Sequence, residues 1–139
     1  MKYLIIGLGN VGRTLAEQLT DMGHDVIGVD TNEYRIDAVK DRISIAYIMD
    51  ATQSESLAEL PLDEIDTAIV AVGQSMEQSL RSVAALKQLK VQRIYARALD
   101  SVHRAVLKAM DISCIFTPET YAARLFAEKF TSDIKEDLI

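Results

Sequence analysis

The chain has 139 residues, 49% of them apolar, which gives room for one domain with its own core and not for two. A net charge of −6 with 15 scattered Lys and Arg disfavours nucleic acid as a partner, because binding a phosphate backbone needs clustered cations. The single cysteine, Cys114, excludes an internal disulfide framework and a multi-cysteine metal site. No apolar run approaches the roughly twenty residues of a membrane span. The opening Met1-Lys2-Tyr3-Leu4-Ile5-Ile6 has one base and ends in glycine, so it does not read as a secretory signal. The expected compartment is the cytosol, with docking on a membrane protein left open.

Short apolar runs alternate with helix-period segments, the pattern of a parallel sheet with helices on both faces. Strands are predicted at Tyr3–Ile6, Asp25–Asp30, Ser44–Met49, Thr67–Val72, Arg93–Ala96 and Cys114–Phe116. "DVIGVD" and "TAIVAV" are nearly continuous apolar runs, as strands covered on both faces require. The first helix carries Val11, Leu15, Leu19 and Met22 on its apolar stripe, and Gly23 closes it as a left-handed cap. Further helices are predicted at Glu33–Lys40, Glu55–Leu60, Met76–Leu89 and Ser101–Met110, the last with Val102, Ala105, Val106 and Ala109 facing inward. Thr117-Pro118-Glu119 starts a final helix, and its stripe of Phe126, Phe130, Ile134 and Leu138 runs to the chain end. At roughly twenty residues, about 30 Å, this helix is longer than its neighbours. It is expected to pack on a second subunit or lead into a further domain, the plainer alternative being a helix folded back on the sheet.

Gly7-Leu8-Gly9-Asn10-Val11-Gly12 follows the first strand, opens the first helix, and is followed about twenty residues on by Asp30 at the end of the second strand. Each residue type has a reason. Gly7 allows a tight turn, Gly9 lets backbone N–H groups approach phosphates, and Gly12 lets helix and strand pack closely. A pyrophosphate is then held at the positive end of the helix dipole. Asp30 is placed to accept from ribose hydroxyls, and its charge opposes a 2′-phosphate, so NADP is disfavoured. The plain alternative for Asp30 is a cap for the helix after Asn32. Asp50-Ala51-Thr52 and Val72-Gly73 also fall at carboxyl ends of strands, where such a sheet holds its ligand; for each, a simple turn is the equal alternative.

Catalytic groups are not evident. No tyrosine has a lysine four residues later, and His24 and His103 form no acid–base constellation. Both histidines read as solvated surface residues, and Cys114 as a small core residue. The sequence thus describes a nucleotide seat without visible chemistry, and an enzyme is not expected. The rival reading, from the same glycines and Asp30, is the cofactor domain of an NAD-dependent oxidoreductase.

The segments "YLIIGLGNVGRTLAEQLTDMGHDVIGVDTNEYRID", "MDATQSESL", "DTAIVAVG", "ARALDSVHRAVLKAMD" and "IFTPETYAARLFAEKF" together resemble the KTN or RCK (TrkA-N) domains. These belong to Trk and Ktr potassium-uptake systems and to ligand-gated potassium channels. The resemblance runs from Lys2 to about Phe130. It implies a Rossmann-like, doubly wound, six-stranded parallel sheet with a long C-terminal helix. It also implies a cytoplasmic regulatory domain that binds NAD(H), ADP, AMP or ATP and gates potassium flow through a membrane transporter or channel subunit. A homodimer, assembling further into a ring, goes with it. Family members commonly continue into a smaller C-terminal domain, which this chain is expected to lack.

By resemblance, Gly7, Gly9, Asn10, Val11 and Gly12 meet the phosphates, Asp30 and Thr31 the ribose, and Asp50, Ala51 and Thr52 the adenine. Val72 and Gly73 line the phosphate path, and Arg97 stands where relatives have a base that reaches the phosphates. Glu119 stands where some relatives place an acid near a dimer-interface site, in a few cases binding a divalent cation; its simpler role is a favourable first-turn charge. Several ATP- or ADP-responsive relatives carry arginine at the position of Asn10, so its loss here weakens the case for ATP discrimination.

Overall fold

The computed structural model describes residues 1–132. Six parallel strands form one sheet in the order β3-β2-β1-β4-β5-β6. They are β1 (Lys2–Ile6), β2 (Asp25–Asp30), β3 (Ile45–Ile48), β4 (Thr67–Val70), β5 (Ile94–Arg97) and β6 (Cys114–Phe116). Between them lie α1 (Asn10–Asp21), α2 (Glu33–Val39), α3 (Ser54–Leu57), α4 (Met76–Gln88) and α5 (Ser101–Ala109), and α6 (Pro118–Thr131) follows β6. The strand order reverses between β1 and β4. At that point consecutive crossovers leave on opposite sides and open a crevice at the carboxyl ends of the strands.

Strand alternation builds two cores. Leu4 and Ile6 of β1 with Ala68 and Val70 of β4 point to one face, where Leu57, Val83, Leu86 and Leu107 from α3, α4 and α5 cover them. Ile5 and Ile69 point to the other face and meet Ala16 of α1 and Ile36 and Val39 of α2. Burial on both faces is why β1 and β4 read as continuous apolar runs. Gly23, at φ +93°, closes α1 as expected.

The structure corrects the placement of six residues. Met22 caps the end of α1 and is exposed rather than part of its buried stripe. On α5 the buried positions are His103 and Leu107; Val102, Ala105 and Ala109 face outward. The Asp100 cap, which accepts from the His103 N–H at 2.8 Å, sets this rotation. His103 is therefore not a solvated residue: it is fully buried, accepts from the Leu99 N–H at 2.9 Å through Nδ1 and lies 3.0 Å from the Ser79 hydroxyl. Cys114 opens the edge strand β6 and is exposed rather than a core residue. No described helix is long and apolar enough to cross a membrane.

α6 has 14 residues, fewer than the roughly twenty expected, and ends at Thr131 with Ser132 extended; none of the 14 is buried. Tyr121, Leu125, Phe126 and Phe130 are exposed, and the rings of Phe126 and Phe130 stack 6.1 Å apart. Ile134 and Leu138, the rest of the predicted stripe, lie outside the described residues.

Candidate functional site

The loop from β1 to α1 is shaped by what its glycines must avoid. A Cβ on Gly12 would stand 1.7 Å from the Gly7 carbonyl oxygen, so no other residue lets α1 approach the loop this closely. Gly7 adopts φ +93°, and a Cβ there would meet the Val72 backbone nitrogen at 2.9 Å. The chain beyond β4 thus crosses directly over the turn. Gly9 differs: its Cβ position is open, and the nearest atoms, about 3.9 Å away, belong to the Arg35 guanidinium. Gly9 caps α1 without a side-chain acceptor. The first helical N–H groups at Asn10, Val11 and Gly12 lack intrahelical carbonyl partners and are available to an anion.

Two clefts meet over this loop. One, of about 510 Å³, is lined by Asp30 and Thr31 from the end of β2, by Asp50, Ala51 and Thr52 after β3, and by Gln78, Arg81 and Ser82 on α4. The other, of about 420 Å³, is lined by Gly9, Asn10, Val11, Gly73, Arg97 and Glu119, together with Arg13. Gly7, Val72, Gln74 and Arg35 border both. Every candidate residue from the sequence lies on one of the clefts except Gly12, which is buried beneath the loop as a packing position.

The carboxylates are more occupied than the sequence reading expected. Asp30 is 8% exposed. Its Oδ2 accepts from the Leu8 N–H at 2.8 Å and its Oδ1 from the Asn32 N–H at 2.9 Å. The side chain that was expected to reach a ribose therefore first ties the glycine loop to the start of α2. Oδ1 keeps a further lone pair for a hydroxyl donor, while the second lone pair of Oδ2 faces Arg35. Arg35 approaches Oδ2 at 3.5 Å. Asp50 closes its own turn, with Oδ1 accepting from the Thr52 hydroxyl at 2.6 Å and the Thr52 N–H at 3.0 Å. The Thr52 hydroxyl first, then its backbone N–H, hold the Asp50 carboxyl below the usual carboxylate range. The Asp50 carboxylate is thus committed largely to its own turn.

Arg97 leaves the end of β5 and lies flat against Gly73, where a Cβ would stand 2.7 Å from its Nη1. Its Nη2 donates to Glu119, and its Nε is buried without a partner among the described residues. Glu119 is thus paired to a cation, and among the described residues no three of His, Cys, Asp and Glu cluster to hold a metal ion. Asn10 is exposed at the mouth. Arg13, Arg35 and Arg97 nevertheless place three guanidinium groups on this half. Arg13 and Arg35 were not singled out from sequence, because a lone arginine on an amphipathic helix looks like solvated surface. The usable signal was position: Arg13 opens the second turn after the glycine loop, and Arg35 follows Asp30 by five residues.

The sheet order, glycine turn and acid at the end of β2 define a Rossmann-type domain with a dinucleotide-fold cleft at its switch point. Residues 3–118 match the model of the TrkA-N domain, and the chain belongs to that family. It is similar to Ktr system potassium uptake protein A of Bacillus subtilis, 31% identical over 118 residues, which cover 85% of this chain and 53% of the relative. Ktr system potassium uptake protein C of the same organism is 30% identical over 132 residues, 95% of this chain and 60% of the relative. The chain thus spans somewhat over half the length of these relatives.

Among solved structures, the NAD(P)-binding domain of an exopolyphosphatase-related protein from Archaeoglobus fulgidus superposes with a TM-score of 0.82 at 21% identity, covering 92% of this chain and 96% of that one. The AMP-bound Kef C-terminal domain of Shewanella denitrificans gives 0.76 at 19%, covering 94% and 80%. The GsuK channel bound to NAD gives 0.71 at 19%, covering 82% and 21%.

Proposed function

We propose that this chain is a regulatory domain that binds an adenine nucleotide at the switch-point cleft and, through that binding, gates potassium transport by an associated membrane protein. The observation that carries the nucleotide part is the continuity of the two clefts over the glycine loop. A ribose acceptor, Asp30, stands at one side, and the cations Arg13 and Arg97 with the free N–H groups of α1 stand at the other. Together, at about 510 and 420 Å³, the two clefts have room for a base, a ribose and one or more phosphates. The potassium part is supported by the names of the Ktr relatives. That the Kef and GsuK folds carry AMP and NAD supports the ligand class.

The chemistry of the lining favours binding over turnover. Asp30 and Asp50 are committed to backbone turns, Glu119 to Arg97, and His103 of α5 is buried against Ser79 of α4. A ligand then acts by favouring one conformation over another, by as much as its affinities for the two differ. We further propose that the exposed apolar face of α6 packs on a second copy, and that the assembly sits at the cytoplasmic side of its membrane partner. Isothermal titration with NAD, NADH, ATP, ADP and AMP tests the nucleotide reading. Saturable binding of at least one is expected, and no heat from any of them at millimolar concentration would refute it.

A further inference from the structure

We propose that Arg35 is an ion-pair exchanger that reads the 5′-phosphate of the nucleotide: its guanidinium leaves Asp30 for the phosphate as the ligand enters. This rests on the nucleotide-binding reading above and adds to it a residue and a selectivity, for nucleoside 5′-phosphates over nucleosides.

Three observations point to Arg35. First, Cζ, Nη1 and Nη2 all lie 3.9–4.0 Å from where a Gly9 Cβ would stand, so the guanidinium covers the face of the loop that the missing side chain leaves open. That face is where a phosphate approaches backbone N–H groups in this kind of turn. Second, Arg35 is, among the described residues, the only charged one that borders both clefts. It therefore stands at the join between the ribose side and the phosphate side.

Third, its present bond is a poor one. Nη1 reaches Asp30 Oδ2 at 3.5 Å, by a single contact, while the same oxygen accepts a 2.8 Å bond from the Leu8 N–H. The Asn32 N–H holds Oδ1. Asp30 is thus fixed by the backbone and keeps its position when Arg35 leaves. A guanidinium gains from the exchange, because a phosphate offers two oxygens in the planar fork geometry that a single 3.5 Å contact does not use.

The exchange links the two ends of the ligand. With Arg35 drawn to the phosphate, the free lone pairs of Asp30 turn to the ribose hydroxyls, and the cation between them screens the carboxylate from the phosphate. A nucleoside without a phosphate leaves the ion pair in place and meets a covered Gly9.

Competition binding against a fluorescent adenine nucleotide, with AMP and adenosine as competitors, tests this on the full chain and on Arg35→Met and Arg35→Lys. The expected result is a loss of about tenfold or more in AMP affinity for Arg35→Met, the scale of a charge-assisted hydrogen bond, with adenosine changed little. Arg35→Lys is expected to recover part of the loss. In the wild-type chain the Arg35 Nε–H resonance is expected to shift with AMP and not with adenosine. Equal losses for AMP and adenosine, or no loss for either, would overturn the proposal. If Arg35→Met does not fold, Arg35→Lys and the resonance decide it. Wild-type protein that binds no nucleotide defeats the underlying reading instead, so the two failures are told apart.

Discussion

Asp30 serves the fold directly and, in the proposed function, the ligand as well. Its two oxygens satisfy the Leu8 and Asn32 N–H groups, and the first of these is buried. Asp30→Ala leaves both donors unpaired and is expected to cost about 2 kcal/mol, measured by urea unfolding, as well as nucleotide affinity. Gly12→Ala is expected to cost about 3 kcal/mol or more, because the clash is with backbone and neither α1 nor the loop can yield without opening the sheet contact. His103 gives a pH signature. The Leu99 N–H fixes Nδ1 as acceptor, so the folded state holds the neutral imidazole, and burial pushes its pKa down against the attraction of Asp100. The unfolded chain then binds the proton first as pH falls through about 6.5. Stability is expected to be full above that value, to decline below it, and to level off once the folded pKa is passed. Comparing urea unfolding at about pH 7.5 and about pH 5.5 with that of His103→Gln checks this; a variant with the same pH dependence as wild type would contradict it.

At the scale of elements, the central strands were legible because burial on both faces leaves an unbroken apolar run, and β1, β2 and β4 begin within a residue of where the pattern put them. Edge strand β6 also runs from Cys114 to Phe116 as expected, but the opposite edge was less legible. β3 loses a residue at each end relative to Ser44–Met49 because it pairs on one side only, and Ile45, Tyr47 and Ile48 stay exposed. β4 stops at Val70 because the chain must lift off the sheet to cross Gly7. α5 was rotated wrongly because apolarity alone ranked Val102 above His103, whereas the Asp100 cap and the Ser79 partner decide which one enters the core. In the site, the glycine loop and Asp30 were legible through their spacing. Arg35 was not, since its significance lies in the empty space over Gly9. α6 carries its own prediction. With Phe126 and Phe130 exposed, Phe126→Glu and Phe130→Glu together are expected to convert a dimer to a monomer in light scattering, with the chain still folded. A wild-type monomer at high protein concentration would remove that claim.

For the whole molecule, the switch point between β1 and β4 gathers four turns, those after β1, β2, β3 and β4, around one groove. A ligand spanning the groove ties β2, the β3–α3 turn and the β4–α4 turn together, so it is expected to raise the unfolding midpoint in proportion to the logarithm of its concentration above its dissociation constant. The same bridging explains how occupancy can reach α6. Arg97 lines the groove and donates to Glu119 in the first turn of α6, so the proposed ligand site and the proposed subunit contact share one ion pair. The central claim, that the glycine loop and Asp30 form the seat of an adenine nucleotide, is tested most directly by titrating isotope-labelled protein with AMP and following backbone amide resonances. The account predicts the largest shifts at Gly7, Gly9, Asn10 and Val11, at Asp30 through Arg35, and at Ala51 and Thr52. Shifts absent from these residues, or gathered on another surface, would contradict it.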